Sequence, residues 1–195
     1  MKKLLSLTGV LTLVVVLFML HLNQTKSTNN SSSVVLADES KPIISEAHAK
    51  TDSYENLDQL VEDSPLIVRG IKVSEEEPSI IRDEEGDLIN TFTISNFKIT
   101  KIYKNTTNKK LKQGNTIKVS EFSALDKENN ILYQINEYEL MKINEQYILF
   151  LRPSRDADHY FTKGITFGKV SVKNEDNVNS LINNIHKEAR AKFSK

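Results

Sequence analysis

The rhythm of apolar and polar positions changes along the chain, and each change predicts a different element. Leu4 to Leu22 carries no side chain charged at neutral pH, and only Ser6, Thr8, Gly9, Thr12 and His21 interrupt the apolar run. At 1.5 Å per residue this run spans about 28 Å, close to the roughly 30 Å hydrocarbon core of a bilayer. It exceeds the ~7–15 residues of a signal-peptide core. Residues 23–50 turn polar and are rich in Asn, Ser and Thr, which predicts a flexible tether. Asp52 then stands three residues before Glu55, a capping-box spacing, and Tyr54, Leu57, Leu60 and Val61 share one helical face. Ser64-Pro65 stops this short helix.

Beyond Pro65 the period shortens to that of strands. Leu66–Val73 is a β run in which Gly70 predicts a bulge or tight bend. Glu75–Asp87 is acidic and reads as a long hairpin loop. Phe92–Tyr103 is a long strand whose alternation changes phase between Ile94 and Phe97, which predicts a second bulge. Thr116–Phe122, Ile131–Ile135 and Tyr138–Leu140 follow between polar turns. Tyr147–Leu151 has no polar break and predicts a central strand buried on both faces. Tyr160–Val172 holds the last strand or pair. The tail is an amphipathic helix with Asp176 as its cap and Val178, Leu181, Ile182, Ile185, Ala189 and Phe193 on one stripe. Its basic end (Lys187, Arg190, Lys192, Lys195) suits the helix dipole. About five bulged strands framed by two helices predict a mainly β protein built as a small closed or partly open OB-like barrel.

The predicted organisation is therefore 1–22 as a signal-anchor or signal peptide, 23–50 as tether, and 51–195 as one domain, a length sufficient for a single core. Lys2 and Lys3 place the N-terminus in the cytoplasm by the positive-inside rule, and the domain outside. The best cleavage motif, Val35-Leu36-Ala37, lies well past Leu22, so a single-pass anchor is favoured, with secretion after Ala37 as the alternative.

Composition sharpens the picture in two places. The chain is neutral, with 26 Lys+Arg and 26 Asp+Glu, but Lys2, Lys3 and Lys26 all precede the first acid, Asp38. From Asp38 onward the chain is thus acidic by three charges, which argues against nucleic acid as a partner. There is no cysteine, which excludes a disulfide framework, a thiolate metal site and a lipidated N-terminal cysteine.

Four stretches carry a resemblance: Ile67–Val73 (a strand ending in V-R-G-x-x-V), Phe92–Asn105 (ending in I-Y-K-N), Leu111–Val119 (L-K-x-G-x-x-I-K-V) and Tyr138–Leu151 (Y-E-L-x-x-x-x-x-Y-I-L-F-L). In these the core resembles the OB-type barrels of the netrin-like and TIMP class. With Tyr54–Gly70 ahead of them, residues 54–172 are similar to uncharacterised exported proteins of Gram-positive, Bacillus-like bacteria. The resemblance implies fold and location, and fold alone carries no function. TIMP-type inhibition needs an N-terminal cysteine, which this chain lacks. Asn144 stands where that turn has glycine, and Asn tolerates the left-handed conformation.

Candidate chemistry is sparse. His21, His48, His159 and His186 lack metal-ligand spacing. Only Asp156-Ala157-Asp158-His159 gathers carboxylates with an imidazole, as a loose cation site or an acid/base pair, against the plainer reading of a solvated loop. Asp83–Asp87 fails the EF-hand pattern, because Gly86 is its fourth residue and Ile94 its twelfth, leaving only weak surface Ca²⁺ binding open. Lys109, Lys110 and Lys112 form a basic turn. No nucleophile elbow or phosphate loop is present. The sequence therefore predicts a non-enzymatic, membrane-tethered or secreted extracytoplasmic domain with no cofactor, binding a protein, peptide or envelope component. The alternatives are a cation-dependent or hydrolytic enzyme centred on Asp156, Asp158 and His159, and a structural or stress-related envelope protein.

Overall fold

The computed structural model describes residues 41–173 and 179–194. Leu4–Leu22, Ala37, Asp176 and Val178 lie outside them, as does the predicted tether up to Ser40. Among the described residues no helix is long and apolar enough to cross a membrane.

Among the described residues the protein is mainly β, with two helices. In chain order the elements are β1 (Ile43–Ala47), α1 (Leu57–Asp63), β2 (Leu66–Glu75), β3 (Ser79–Arg82), β4 (Leu88–Asn105), β5 (Thr116–Glu121), β6 (Ser123–Asp126), β7 (Ile131–Ile135), β8 (Gln146–Pro153), β9 (Tyr160–Thr162), β10 (Lys169–Ser171) and α2 (Ser180–Phe193). β2 pairs with β4 and β8, β4 with β5, β5 with β9 in parallel, and β9 with β8. These pairings return to their start, making a circuit of five strands. β10 extends it from β8, and β3 from the outer part of β4. A separate three-stranded sheet runs β1-β7-β6. Three strands of the protein were not expected from the sequence: β1 falls inside the stretch read as tether, β3 inside the acidic loop, and β6 just after the run ending at Phe122, whereas Tyr138–Leu140 forms no strand.

Alternation along β2 and β8 divides the core in two. Leu66, Val68, Leu149 and Leu151 join Phe97, Ile99, Ile117 and Val119 on one side. Ile67, Ile148 and Phe150 face the other way, under the helices, with Leu57, Leu60, Ile185, Ala189 and Phe193. Burial of β8 on both faces follows from its unbroken apolar run. Asn56, not Asp52, caps α1: its side chain accepts from the Gln59 amide at 3.0 Å. Asp52 instead pairs with Lys163 at 3.0 Å. On α2 the cap is Asn179, and Leu181 is 40% exposed, so the buried stripe is narrower than the sequence periodicity suggests.

The β2–β4 register shifts between Ile67 and Val68, between Arg69 and Gly70, and between Lys72 and Ser74. Gly70 is needed for close approach: a Cβ there would lie 2.3 Å from the Lys98 carbonyl oxygen. The phase change near Ile94 has a different cause from the expected bulge in β4. Thr91, Thr93, Ser95, Phe97 and Ile99 are all buried at unbroken alternate positions, and the first three are polar. The shift opposite Phe97 and Asn96 inserts Val73 on β2 instead.

Those polar positions lead to a buried ion pair. The Lys72 ammonium lies 3.0 Å from Glu121 Oε1, and both side chains are fully buried. Glu75, partly exposed, adds a second carboxylate at 2.6 Å. Ser95 Oγ donates a short hydrogen bond to Glu121 Oε1. Glu121 Oε2 accepts from the Tyr138 hydroxyl at 3.1 Å and the Met141 amide at 2.7 Å. Burial, and then the Glu121 charge, push the Tyr138 hydroxyl well above the ordinary range. Asn144, in the left-handed region at φ 66°, brings the next turn back so that its amide donates to the Lys72 carbonyl at 2.8 Å.

Removing one member of such a pair strands the other. Lys72→Met leaves Glu121 buried without its ammonium and is expected to destabilise the protein by about 3–5 kcal/mol, against a smaller loss for Lys72→Met with Glu121→Leu. Urea unfolding checks this. A second expectation concerns pH. His186 lies on the buried face of α2, its Nε2 3.1 Å from the Thr166 carbonyl, and burial pushes its pKa down to about 4 from 6.5. The unfolded chain thus binds more protons between these values. Stability is full above pH 6.5 and falls as pH drops towards 4, by about 3 kcal/mol in all. His186→Gln should flatten that part of the stability profile.

Candidate functional site

Pro153 ends β8, and the Ser154 amide donates to the His159 carbonyl at 2.8 Å, closing the loop that holds Asp156, Asp158 and His159. The long β4–β5 connection comes up beside it. Its turn is built locally: Asn105 Oδ1 accepts from the Thr107 amide at 3.0 Å and Asn115 Oδ1 from the Lys112 amide at 2.9 Å. This places Lys109 against Asp158 in a short ion pair, with its ammonium 5.4 Å from the centre of the Tyr160 ring.

The two loops and the outer face of β4–β5 enclose a groove of about 300 Å³, lined among others by Asn96, Lys109, Thr116, Lys118, Asp158 and Tyr160. Asn96 and Lys118 are register partners across β4 and β5. Lys118 also reaches Glu76 at 2.6 Å. The rim carries both signs of charge. The floor is aromatic: Tyr160 is almost fully buried, and burial raises its hydroxyl pKa.

The three residues singled out from the sequence form no hydrogen-bonded cluster, although Asp158 and His159 sense each other's charge. Asp158 turns to Lys109, whose ammonium holds its carboxyl below the usual carboxylate range. His159 packs edge-on against Phe161 at 4.8 Å, and burial lowers its pKa. Arg152 covers the same Phe161 ring, its guanidinium 4.7 Å from the ring centre. Asp156 is exposed, and its amide donates to Ser154 Oγ at 3.4 Å. No hydrogen bond joins any two of these three side chains. The loop is thus one wall of a groove, with Lys109 from the basic turn as the residue that ties it down. Lys109 was visible in the sequence only as part of a charged hairpin tip. Its partner lies 49 residues away, and no local pattern links them.

The acidic stretch is explained by its own turn. Asp83 Oδ1 accepts from the Glu85 and Asp87 amides at 3.0 and 2.8 Å, which gathers the exposed Asp83, Glu85 and Asp87 side chains at the β3–β4 hairpin tip.

Comparison with protein-family models and with curated proteins finds no match to this chain.

The Lys109–Asp158 pair has a direct readout. In Lys109→Ala the Asp158 carboxyl loses the cation that lowers its pKa, so its titration midpoint, followed by NMR, should move up towards 3.8.

Proposed function

We propose that the described residues form a small OB-like barrel that serves as a non-enzymatic, extracytoplasmic binding domain for a protein, peptide or envelope component. In this reading Leu4–Leu22 anchors it to the membrane, or releases it if cleavage follows Ala37. The strand circuit β2-β4-β5-β9-β8 supports the barrel. Its first strand lies between the second and fourth, and its third runs parallel to the fifth, an order suited to a small five-stranded barrel. β10, β3 and the three-stranded sheet are additions to that core.

The observation that carries the binding reading is the commitment of Asp158 to Lys109. It makes the Asp156–His159 loop one wall of the groove. The groove offers an aromatic floor, an amide at Asn96 and rim charges of both signs, which suit a zwitterionic or mixed-charge ligand such as a peptide. The acidic balance of the chain from Asp38 onward does not favour nucleic acid. The proposal includes no cofactor.

Capture from a cell-envelope extract tests it, comparing the wild-type chain with a Lys109→Ala, Asp158→Ala variant. The expected result is a component retained by the wild type and lost with the variant while the thermal melt stays cooperative. Equal retention by both, or none above a bare-resin control, contradicts a groove-centred function.

A further inference from the structure

The three-stranded sheet ends in an edge strand that places no residue in the apolar core. All five residues of β1 are exposed, Ile43 and Ile44 at 67% and 63%, and the Glu46 side chain is partly covered. Its hold on the domain is therefore made mainly by backbone. β1 runs parallel to β7, in register from Ile43 against Ile131 to Ala47 against Ile135. The Ile43 amide donates to the Asn130 carbonyl at 2.9 Å, and the Asn136 amide to the Ala47 carbonyl at 3.0 Å. Just beyond, the Asn136 side chain grips one residue from both sides. The Ala49 amide donates to Asn136 Oδ1 at 3.1 Å, and Asn136 Nδ2 donates to the Ala49 carbonyl at 3.0 Å. Asn136 sits at φ 50°, a left-handed conformation that Asn tolerates, and this aims its amide along the strand. These contacts recognise peptide units rather than side chains, the logic of strand addition to a sheet edge.

A cavity of about 330 Å³ adjoins the clamp. Ile165, Phe167 and Ile182 contribute apolar surface to it, while the segment running past it contributes Glu46 and His48. Those two polar side chains lie 3.9 Å apart, and the His48 side chain is 82% exposed. The segment thus satisfies the backbone ladder but presents no large apolar group to the apolar part of the cavity.

We propose that the β7 edge, the Asn136 clamp and this cavity form a docking site for an extended peptide bearing an apolar side chain, and that Ile43–Ala49 is a displaceable strap occupying the site in cis. The inference rests on the binding-domain reading for its biological sense, but uses none of the residues of the Lys109–Asp158 groove. A tethered strap competes at an effective concentration on the order of millimolar, so a partner must gain something the strap lacks. An apolar side chain seated against Ile165, Phe167 and Ile182 supplies that gain. The partner's identity as a peptide follows from the ladder and the two-way amide clamp, both of which need a peptide backbone.

The chain has no cysteine, so Ile44→Cys with Leu132→Cys places a single reversible lock across one register pair of β1 and β7. The probe is a fluorescein-labelled peptide of residues 41–51 carrying His48→Leu, titrated into the full chain and followed by anisotropy, with lock formation confirmed by thiol titration. The reduced chain is expected to bind the probe, and oxidation to weaken binding by at least about tenfold, because the strap can no longer leave. Asn136→Gly, which keeps the left-handed backbone and removes the clamp, should also weaken binding by about tenfold. Equal binding in the reduced and oxidised states overturns the proposal, as does no binding to the reduced chain up to about 1 mM probe. Disulfide-linked dimers in place of the internal lock also overturn it, since the site would then belong to the strap of a second copy. Lys109→Ala with Asp158→Ala should leave this titration unchanged, so failure of the groove and failure of the strap site read out separately.

Discussion

Much of this fold turns on a lysine that no water reaches. Lys72 and Glu121 lie on β2 and β5, the two neighbours of β4, and their ion pair spans the buried face of the strand between them. Burying two charges is expensive unless every remaining valence is filled. Here Glu75 gives the ammonium a second acceptor, and Ser95, Tyr138 and the Met141 amide donate to the Glu121 carboxylate. The need to do so explains several otherwise separate features: serine on the buried face of β4, an inserted residue on β2 next to Lys72, and a buried tyrosine in the irregular segment before β8. The apolar cluster of Val68, Phe97, Ile99 and Leu149 fills the rest of the circuit. The polar pair fixes which strands meet at one end of it.

How far the sequence could be read follows from the range of each interaction. β8 was legible because five consecutive apolar residues leave no solvent face. β2 was legible through its β-rich run, and the bend at Gly70 because only glycine permits the approach to Lys98. α2 was legible by its period, although Leu181 faces solvent. Elements that bury no residue fully were not legible. β1 carries no apolar alternation because it places no residue in the core, and β3 hides within an acidic stretch. Nothing in the sequence around Lys72 marks it as buried. Its burial depends on Glu121, 49 residues away, and the available signal was the polar run Thr91, Thr93 and Ser95 at strand spacing, beside the phase change at Ile94–Phe97 that predicted a bulge.

The same distinction separates the two proposed binding surfaces. The groove beside Asp158 is made by loops whose turns are self-contained and then stapled together by one ion pair. The Asp156–His159 motif drew attention for its chemistry, but its residues serve different neighbours. The strap site is made by a sheet edge and one asparagine amide. Neither surface depends on the other, and both lie on the exposed side of a core whose order is set within the strand circuit.

The most direct measurement of that order is the hydrogen exchange of the Lys72 ammonium itself, followed by ¹⁵N-detected NMR on uniformly labelled protein. A buried, fully partnered ammonium should give a resolved signal that exchanges with water far more slowly than the surface lysines, with cross-relaxation to Ser95 and Tyr138. An ammonium exchanging as fast as those of Lys101 or Lys110 would contradict the account, because Lys72 would then face water and the strand circuit would not be organised around it.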